Sequence, residues 1–371
     1  MINPFYEKLA IVAVNYSVNV KKGDRVFISG PIIAQELFKA IYMEVIKAGG
    51  HPLTLPQMEG NFEILLKYGS EAQVTYVDDI LLKLYEEFDC AIQIFGDYNT
   101  RKLSLIDPSI LGKYHGSPKR KKIIEVMTER ESKGEYKWVI IPFPCHSHAQ
   151  EANMDLFSYT DFVEKALLLD KVDPIKEWTE VKEKQEKLIK YLNNTDIIKV
   201  KGEDTELNFS VKGRTWENCC GLNNLPDGEV CTGPIEDSVN GQIRFTYPGL
   251  YNGREVENIY LEFKNGKVIN ANASKGGDLL EEILKIENAD IIGEFAIGTN
   301  YGITKFTKNI LFDEKIGGTI HCALGLGDPT TGSKNISAIH WDILKDMKKP
   351  GSQILADEII IFEEGKWKIP Q

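Results

Sequence analysis

Apolar residues fall along this chain in two rhythms, and the change between them divides it. In the first part, short apolar runs alternate with stretches of helical spacing. Glu7 to Val20 sets Leu9, Ala10, Val12 and Ala13 along one side of a helix, and Lys21-Lys22-Gly23-Asp24 reads as a turn. Arg25–Gly30 is a strand, Ala34–Ala48 a helix that stops at Gly49-Gly50, and His51–Leu55 the next strand. Cys90–Gly96 and Trp138–Pro142 are further buried strands with helical segments between them. This βαβ beginning predicts an α/β domain built on an open, mostly parallel sheet.

The long charged helix Trp178–Leu192, apolar at Val181, Leu188, Ile189 and Leu192, ends at Asn193-Asn194-Thr195. The expected boundary follows, giving an α/β domain over residues 1–195 and a sheet-rich α+β domain over 196–371. In the second part the rhythm is that of short strands and tight turns. Asp204–Val211 and Gly241–Thr246 read as strands, Ile259–Ile269 as a hairpin around Asn265-Gly266, and Leu279–Ile286 as a helix. Leu225–Pro234 reads as a constrained loop, and Glu358–Trp367 as a closing strand with a glycine turn.

Three strands of the second part break their own apolar pattern with a metal-ligating residue. In Ser337–Ile343 the period of two puts His340 and Asp342 on one face with Ala338, and Ile339, Trp341 and Ile343 on the other. In Gly318–Gly325, His321 and Ala323 oppose Ile320, Cys322 and Leu324. In Asp290–Ile297, Glu294 interrupts an apolar run, with Ala296 two residues on. A lone ionised carboxylate in such a strand costs several kcal/mol or gives up its charge, so a cationic partner is expected. The small alanines would leave space before each ligand. An isolated His-x-Asp is a weak motif, and a single strand histidine is usually a core or surface residue. Three such strands so close in sequence point to a metal site.

Composition adds bounds. The 371 residues, 42% hydrophobic and 27% charged, suit an ordinary soluble protein of two or three domains. A net charge of −11 argues against a nucleic-acid partner. Neither a secretory leader nor a membrane-length apolar run is visible, and the six cysteines lack finger or disulfide spacing, so a reducing cytoplasm is expected. No glycine-rich phosphate loop follows a strand. Lys119–Lys122, within SPKRKK, reads as a solvated loop. Cys145-His146-Ser147-His148 could ligate zinc, but with no second cluster nearby a loop or interface histidine pair is the default.

Several segments together resemble the thermophilic-type metallo-aminopeptidases, the family of aminopeptidase T, aminopeptidase S and their relatives. The matching motifs are LPDGEVCTGP (225–234), IIGEFAIGT (291–299), LFDEKIGGTIHCALG (311–325) and HWD (340–342), with PCHSHAQEANMD (144–155) as a weaker match. The resemblance implies a homodimeric exo-aminopeptidase with a dinuclear centre. Its ligands would be Glu229, Glu294, His321, His340 and Asp342, with Glu314, a further functional acid, also counted in the metal set. Carboxylates and imidazoles without thiolate suit two divalent ions of zinc, cobalt, manganese or magnesium. Glu294 or Glu314 would shuttle the proton. Two departures stand out. Asp328 occupies the position where the family has a tyrosine suited to an oxyanion, and Gly228 replaces an acid that often precedes the Glu229 position. Alternatives therefore stay open. One is a mononuclear non-haem iron, ring-cleaving dioxygenase using His321, His340 and Asp342; another is a non-catalytic divergent homologue that binds a metal or a partner.

Overall fold

The computed structural model describes residues 2–369. Two compact units emerge. One comprises the described residues up to Ile175 together with Gly221–Pro226; the other comprises Lys176–Cys220 and the described chain from Asp227 onward. No helix among the described residues is long and apolar enough to cross a membrane.

The first unit carries β1 (Arg25–Pro31), β2 (His51–Gln57), β3 (Cys90–Phe95) and β4 (Lys137–Pro142), all parallel in the order β2-β1-β3-β4. The helix Gln35–Ala48 ends where Gly49 takes φ 86°, a left-handed cap suited to glycine. Phe27, Leu84, Phe88, Ala91 and Tyr136 pack together against this sheet. The basic run Lys119–Lys122 is not a loop. It lies in the helix Pro118–Ser132, where Pro118 presets the first turn. Cys145 precedes the short helix His146–Glu151, and His148 is buried with its ring stacked 5.2 Å from Phe95.

The helix Pro174–Leu192 groups with the second unit from Lys176 onward, so the division falls in the first turn of this helix where the sequence rhythm put it after the last. The reason is visible in its buried residues. Leu192 joins the second unit's core, and Gln185 Nε2 donates to Asn218 Oδ1, Cys219 O and Glu229 O. That unit contains β5 (Ile197–Gly202), β6 (Thr205–Ser210), β7 (Glu217–Cys219), β8 (Glu229–Thr232), β9 (Asn240–Arg244), β10 (Gly249–Tyr251) and β11 (Arg254–Val256). It continues with β12 (Tyr260–Lys264), β13 (Lys267–Asn272), β14 (Ile292–Gly298), β15 (Thr319–Gly325), β16 (His340–Asp346), β17 (Gln353–Ala356), β18 (Ile359–Glu363) and β19 (Lys366–Trp367).

An eight-stranded sheet runs β13-β12-β9-β6-β5-β17-β18-β19 and a five-stranded sheet runs β16-β15-β14-β8-β7; neighbouring strands in both are antiparallel. The two share one core, in which Val200, Phe209, Ile243 and Leu261 of the larger sheet meet Phe295, Ile320, Cys322 and Ile343 of the smaller. Asn265 and Gly266, both at positive φ, close the β12–β13 hairpin as expected. Two sequence readings change. Glu229 stands in a strand, not in a loop, because β8 is paired on both edges by β14 and β7. The strand carrying His340 begins at that residue, which leaves Ala338 outside it.

Candidate metal centre

Pairing in the five-stranded sheet decides which side chains meet. Ala323 on β15 lies opposite both Glu294 on β14 and Asp342 on β16. Ala296 lies opposite both His321 and Cys231, and Gly298 lies opposite Glu229. Directly opposed residues of antiparallel strands share a face. One face therefore carries Glu229, Glu294, His321, His340 and Asp342, while Val230, Phe295, Ile297, Ile320, Cys322, Leu324, Trp341 and Ile343 on the other enter the core. Several positions opposite the ligand-type residues are small, with Ala323 between Glu294 and Asp342, Ala296 beside His321, Gly298 beside Glu229 and Gly325 beside His340, while Leu344 and Cys219 are the other neighbours of His321 and Glu229.

The polar face gathers into two donor groups. Glu229, Glu294 and His321 form one; Glu294, His340 and Asp342 form the other; within each, one ligand atom per residue lies within 4.8 Å of the rest. Glu294 belongs to both. His321 Nε2 is 3.1 Å from Glu294 Oε1 and 3.7 Å from Asp342 Oδ1, and His340 Nε2 is 3.3 Å from Asp342 Oδ1. Each imidazole is oriented from behind. His321 Nδ1 donates to the Glu314 carbonyl at 3.2 Å and His340 Nδ1 to the Leu326 carbonyl at 2.7 Å. These bonds leave His321 Nε2 facing Glu294 and Asp342 and His340 Nε2 facing Asp342, while Glu229 Oε2 lies 3.7 Å from His321 Nδ1; a carbonyl behind the ring is the arrangement that fixes the tautomer of a metal-ligating histidine.

Glu314 lies outside both groups. Its carboxylate meets Lys315, whose Nζ is 2.6 Å from Glu314 Oε1, 2.5 Å from Glu229 Oε1 and 3.7 Å from Asp227 Oδ1. Sequence reasoning passed over Lys315. It directly follows an acid at the end of the short helix Ile310–Asp313, and only its near-complete burial sets it apart from a surface lysine. Gln185 was missed too; it holds the Glu229 carbonyl from the helix. Gly228 has φ +117°, and a Cβ there would come 2.8 Å from Asn300 Cβ, so an acid at this position would be strained. Asp227 instead brings a carboxylate toward Lys315 from one residue earlier. Asp328 caps its own turn, accepting from Thr330 N and Oγ1.

The electrostatics are those of an acid cluster in need of positive charge. Burial pushes Glu229 up to about 8 against the pull of Lys315 and His321, and burial also raises Glu314. Burial would lower both histidines, yet the carboxylates override it. Glu229, Glu294 and Asp342 hold His321 at about 9, and Asp342 and Glu294 hold His340 at about 10. Asp342 is drawn down to about 2, its burial outweighed by His340, His321 and Lys315. Glu229 Oε2 and Asp342 Oδ1 are buried without a hydrogen-bond partner. Buried carboxylate oxygens left in this state are fitted for a cation.

Aminopeptidase 2 of Geobacillus stearothermophilus is 25% identical over 357 residues, covering 87% of this chain and 84% of that protein. Aminopeptidase T of Thermus thermophilus is 26% identical over 321 residues, covering 78% of this chain and 76% of its own length. The solved structure of wild-type AmpT from Thermus thermophilus shares the fold, with a TM-score of 0.85 at 21% identity over 98% of this chain and 99% of that one. Residues 3–367 match the family described as thermophilic metalloprotease (M29), and the chain belongs to that family.

Proposed function

We propose that the protein is a metal-dependent exo-aminopeptidase that releases N-terminal amino acids from peptides at a centre of two divalent ions, zinc, cobalt, manganese or magnesium. The observation that carries this reading is the position of Glu294 in two donor groups, one with Glu229 and His321 and the other with His340 and Asp342. Family membership and the aminopeptidase names of its relatives support the reaction class. Charge supports bound cations: Asp227, Glu229, Glu294, Glu314 and Asp342 gather five carboxyl groups around a single lysine, Lys315.

In this reading Glu229, Glu294 and His321 hold one ion, and Glu294, His340 and Asp342 hold the other. Bound there, the ions would polarise the scissile carbonyl and lower the pKa of the attacking water. The chain's own groups supply the rest. The carbonyls of Glu314 and Leu326 keep the two imidazoles oriented. Lys315 fixes the carboxylates of Glu229 and Glu314. Glu314, outside both donor groups and with its carboxyl raised by burial, would move the proton from water to the leaving amine in this reading. The reading also carries a cytoplasmic homodimer.

A single-iron, ring-cleaving reading built on His321, His340 and Asp342 is not favoured, because the two histidines fall in different donor groups and the relatives are named aminopeptidases. Elemental analysis paired with hydrolysis of aminoacyl-coumarins in added zinc or cobalt tests the proposal. The expected result is close to two ions per chain, with cleavage of free-amine substrates and none of their N-acetyl forms. One iron per chain, or no cleavage at any metal load, would overturn it.

A further inference from the structure

The strands β7 and β8 carry another cluster of ligand-type side chains. Glu217, Cys219 and Cys231 each offer one donor atom, and these atoms lie within 4.8 Å of one another. We propose that this cluster is a separate metal site of thiolate type, which takes a soft divalent cation of the zinc and cadmium kind and ties the edge strand β7 to β8. The proposal does not depend on the aminopeptidase reading.

Register builds the cluster. Glu217 on β7 lies opposite Cys231 on β8, and Cys219 lies opposite Glu229. Opposed residues of an antiparallel pair share a face, and so do residues two apart on one strand. All four therefore stand together, while Val230 between Glu229 and Cys231 turns to the core. β7 is three residues long and stands at the end of its sheet. An ion held by Glu217 and Cys219 from one side and Cys231 from the other would span the two strands.

Distance favours a metal over a disulfide. The sulfurs of the free thiols Cys219 and Cys231 are 3.8 Å apart. Two thiolates on one tetrahedral zinc, each about 2.3 Å from it, also stand about 3.8 Å apart. The two cysteines occupy diagonal places in the ladder. Cα atoms so placed are about 7–8 Å apart, and an unstrained disulfide needs less than about 7 Å. Cys231 is buried, and Glu217 and Cys219 are half-buried. Glu217 Oε1 meets the Thr330 hydroxyl, a contact that orients the carboxylate from outside the cluster.

Chemistry sets this site apart from the other donor groups. Among the described residues, neither cysteine nor Glu217 falls in a group with Glu294, His321, His340 or Asp342. Cys219 also groups with Asp227 and Glu229, but both of those carboxylates face Lys315. Glu217 is then the carboxylate donor, and a fourth place is left for water. Thiolates select soft cations, whereas magnesium and manganese prefer oxygen. Each thiol must give up its proton to bind, so the site fills after the other donor groups, as a further ion in excess metal.

The test titrates the full chain, stripped with chelator and kept reduced by a phosphine, with cadmium alone. Cadmium on thiolate gives a sulfur-to-metal charge-transfer band in the ultraviolet that oxygen and nitrogen ligands do not give, so ions elsewhere stay silent. Wild type is expected to develop the band up to one thiolate-bound cadmium per chain, and Cys220→Ser, at the neighbouring thiol, to match it. Cys219→Ser/Cys231→Ser should lose the band. Glu217→Gln keeps the shape and both thiols; it should keep the band and bind at least tenfold more weakly. That variant decides the ligand set where the double variant does not fold. No band in wild type, a band that survives in the folded double variant, or wild-type affinity in Glu217→Gln would overturn the site. A chain that shows the band without cleaving peptides keeps this site and loses the hydrolase reading; one that cleaves without the band does the reverse.

Discussion

Lys315 Nζ and Glu229 Oε1 meet at 2.5 Å, with side-chain exposures of 2% and 5%. An ammonium so deeply buried is tolerable because Glu314 and Asp227 also face it. It supplies a permanent positive charge at one edge of a cluster whose remaining acids face the donor space. Removing one partner of a buried pair leaves the other charge uncompensated, which costs about 3–5 kcal/mol. Lys315→Met is therefore expected to unfold earlier in chelator, by roughly 6–20 °C for a unit of this size. The freed Glu229 oxygen becomes available to a cation, so added zinc should recover more stability in the variant than in wild type. Calorimetric melts with and without metal check both statements.

Glu294 is the residue common to both donor groups. Its replacement by glutamine keeps the shape and removes the charge that each group shares. Glu294→Gln should lose both ions, whereas Asp342→Asn should lose chiefly one. Outer-shell partners of metal ligands already cost ~10–100-fold in affinity or activity when changed, so loss of a shared ligand should exceed ~100-fold in kcat/KM. Ion content by elemental analysis, measured beside the rate, separates a metal defect from a folding defect.

Much of this site could be read from the chain because strand periodicity is a local property. His321, Glu294 and the His340–Asp342 pair each interrupt an apolar strand, and the structure puts all four on one face of one sheet. Glu229 carried no such signal. It lies in a short strand between glycine and proline turns, and its pairing to β7 and β14 is long-range. Lys315 and Gln185 were illegible for a different reason. Nothing in the residues around them distinguishes a lysine or glutamine folded inward from one facing water, because the cause is a tertiary cluster of acids in one case and the backbone carbonyls of Cys219 and Glu229 in the other. The domain boundary misled for the same reason, since a charged helix shows its helical period but not which core receives Leu192.

Stability should depend on alkaline pH through Lys345. Burial lowers this lysine from 10.5 to about 8, with Lys349 adding to the effect, while Nζ donates to the carbonyls of Glu203 and Arg244. Below pH 8 the lysine is charged in both folded and unfolded states, and the fold bears the burial cost. Between pH 8 and 10.5 the folded state sheds its proton first, so the unfolded state binds more protons and stability rises with pH. A shift of this size corresponds to about 3 kcal/mol at most. Lys345→Met should flatten that rise. The comparison is between slopes, because the two carbonyls left without a donor lower the variant's stability at every pH. Denaturant midpoints at pH 7 and pH 10 for both proteins give the answer, and equal slopes would refute it.

The two faces of β15 should separate metal binding from stability. Ala323 stands in register between Glu294 and Asp342, and its methyl group leaves the donor space open. Ala323→Leu places a branched side chain between two carboxylates whose Cβ atoms lie about 4.5–5.5 Å from its own. The group of Glu294, His340 and Asp342 should then lose its ion, with kcat/KM down more than ~100-fold. Overpacking should cost only about 1–3 kcal/mol. Cys322, one residue earlier, points the other way into the shared core at 0% exposure. Cys322→Ala should cost about 1–2 kcal/mol and leave the ion content unchanged. Measured together by elemental analysis and denaturant unfolding, the neighbouring substitutions should give opposite phenotypes. Matching phenotypes would mean that the face assignment, and with it the donor cluster, is wrong.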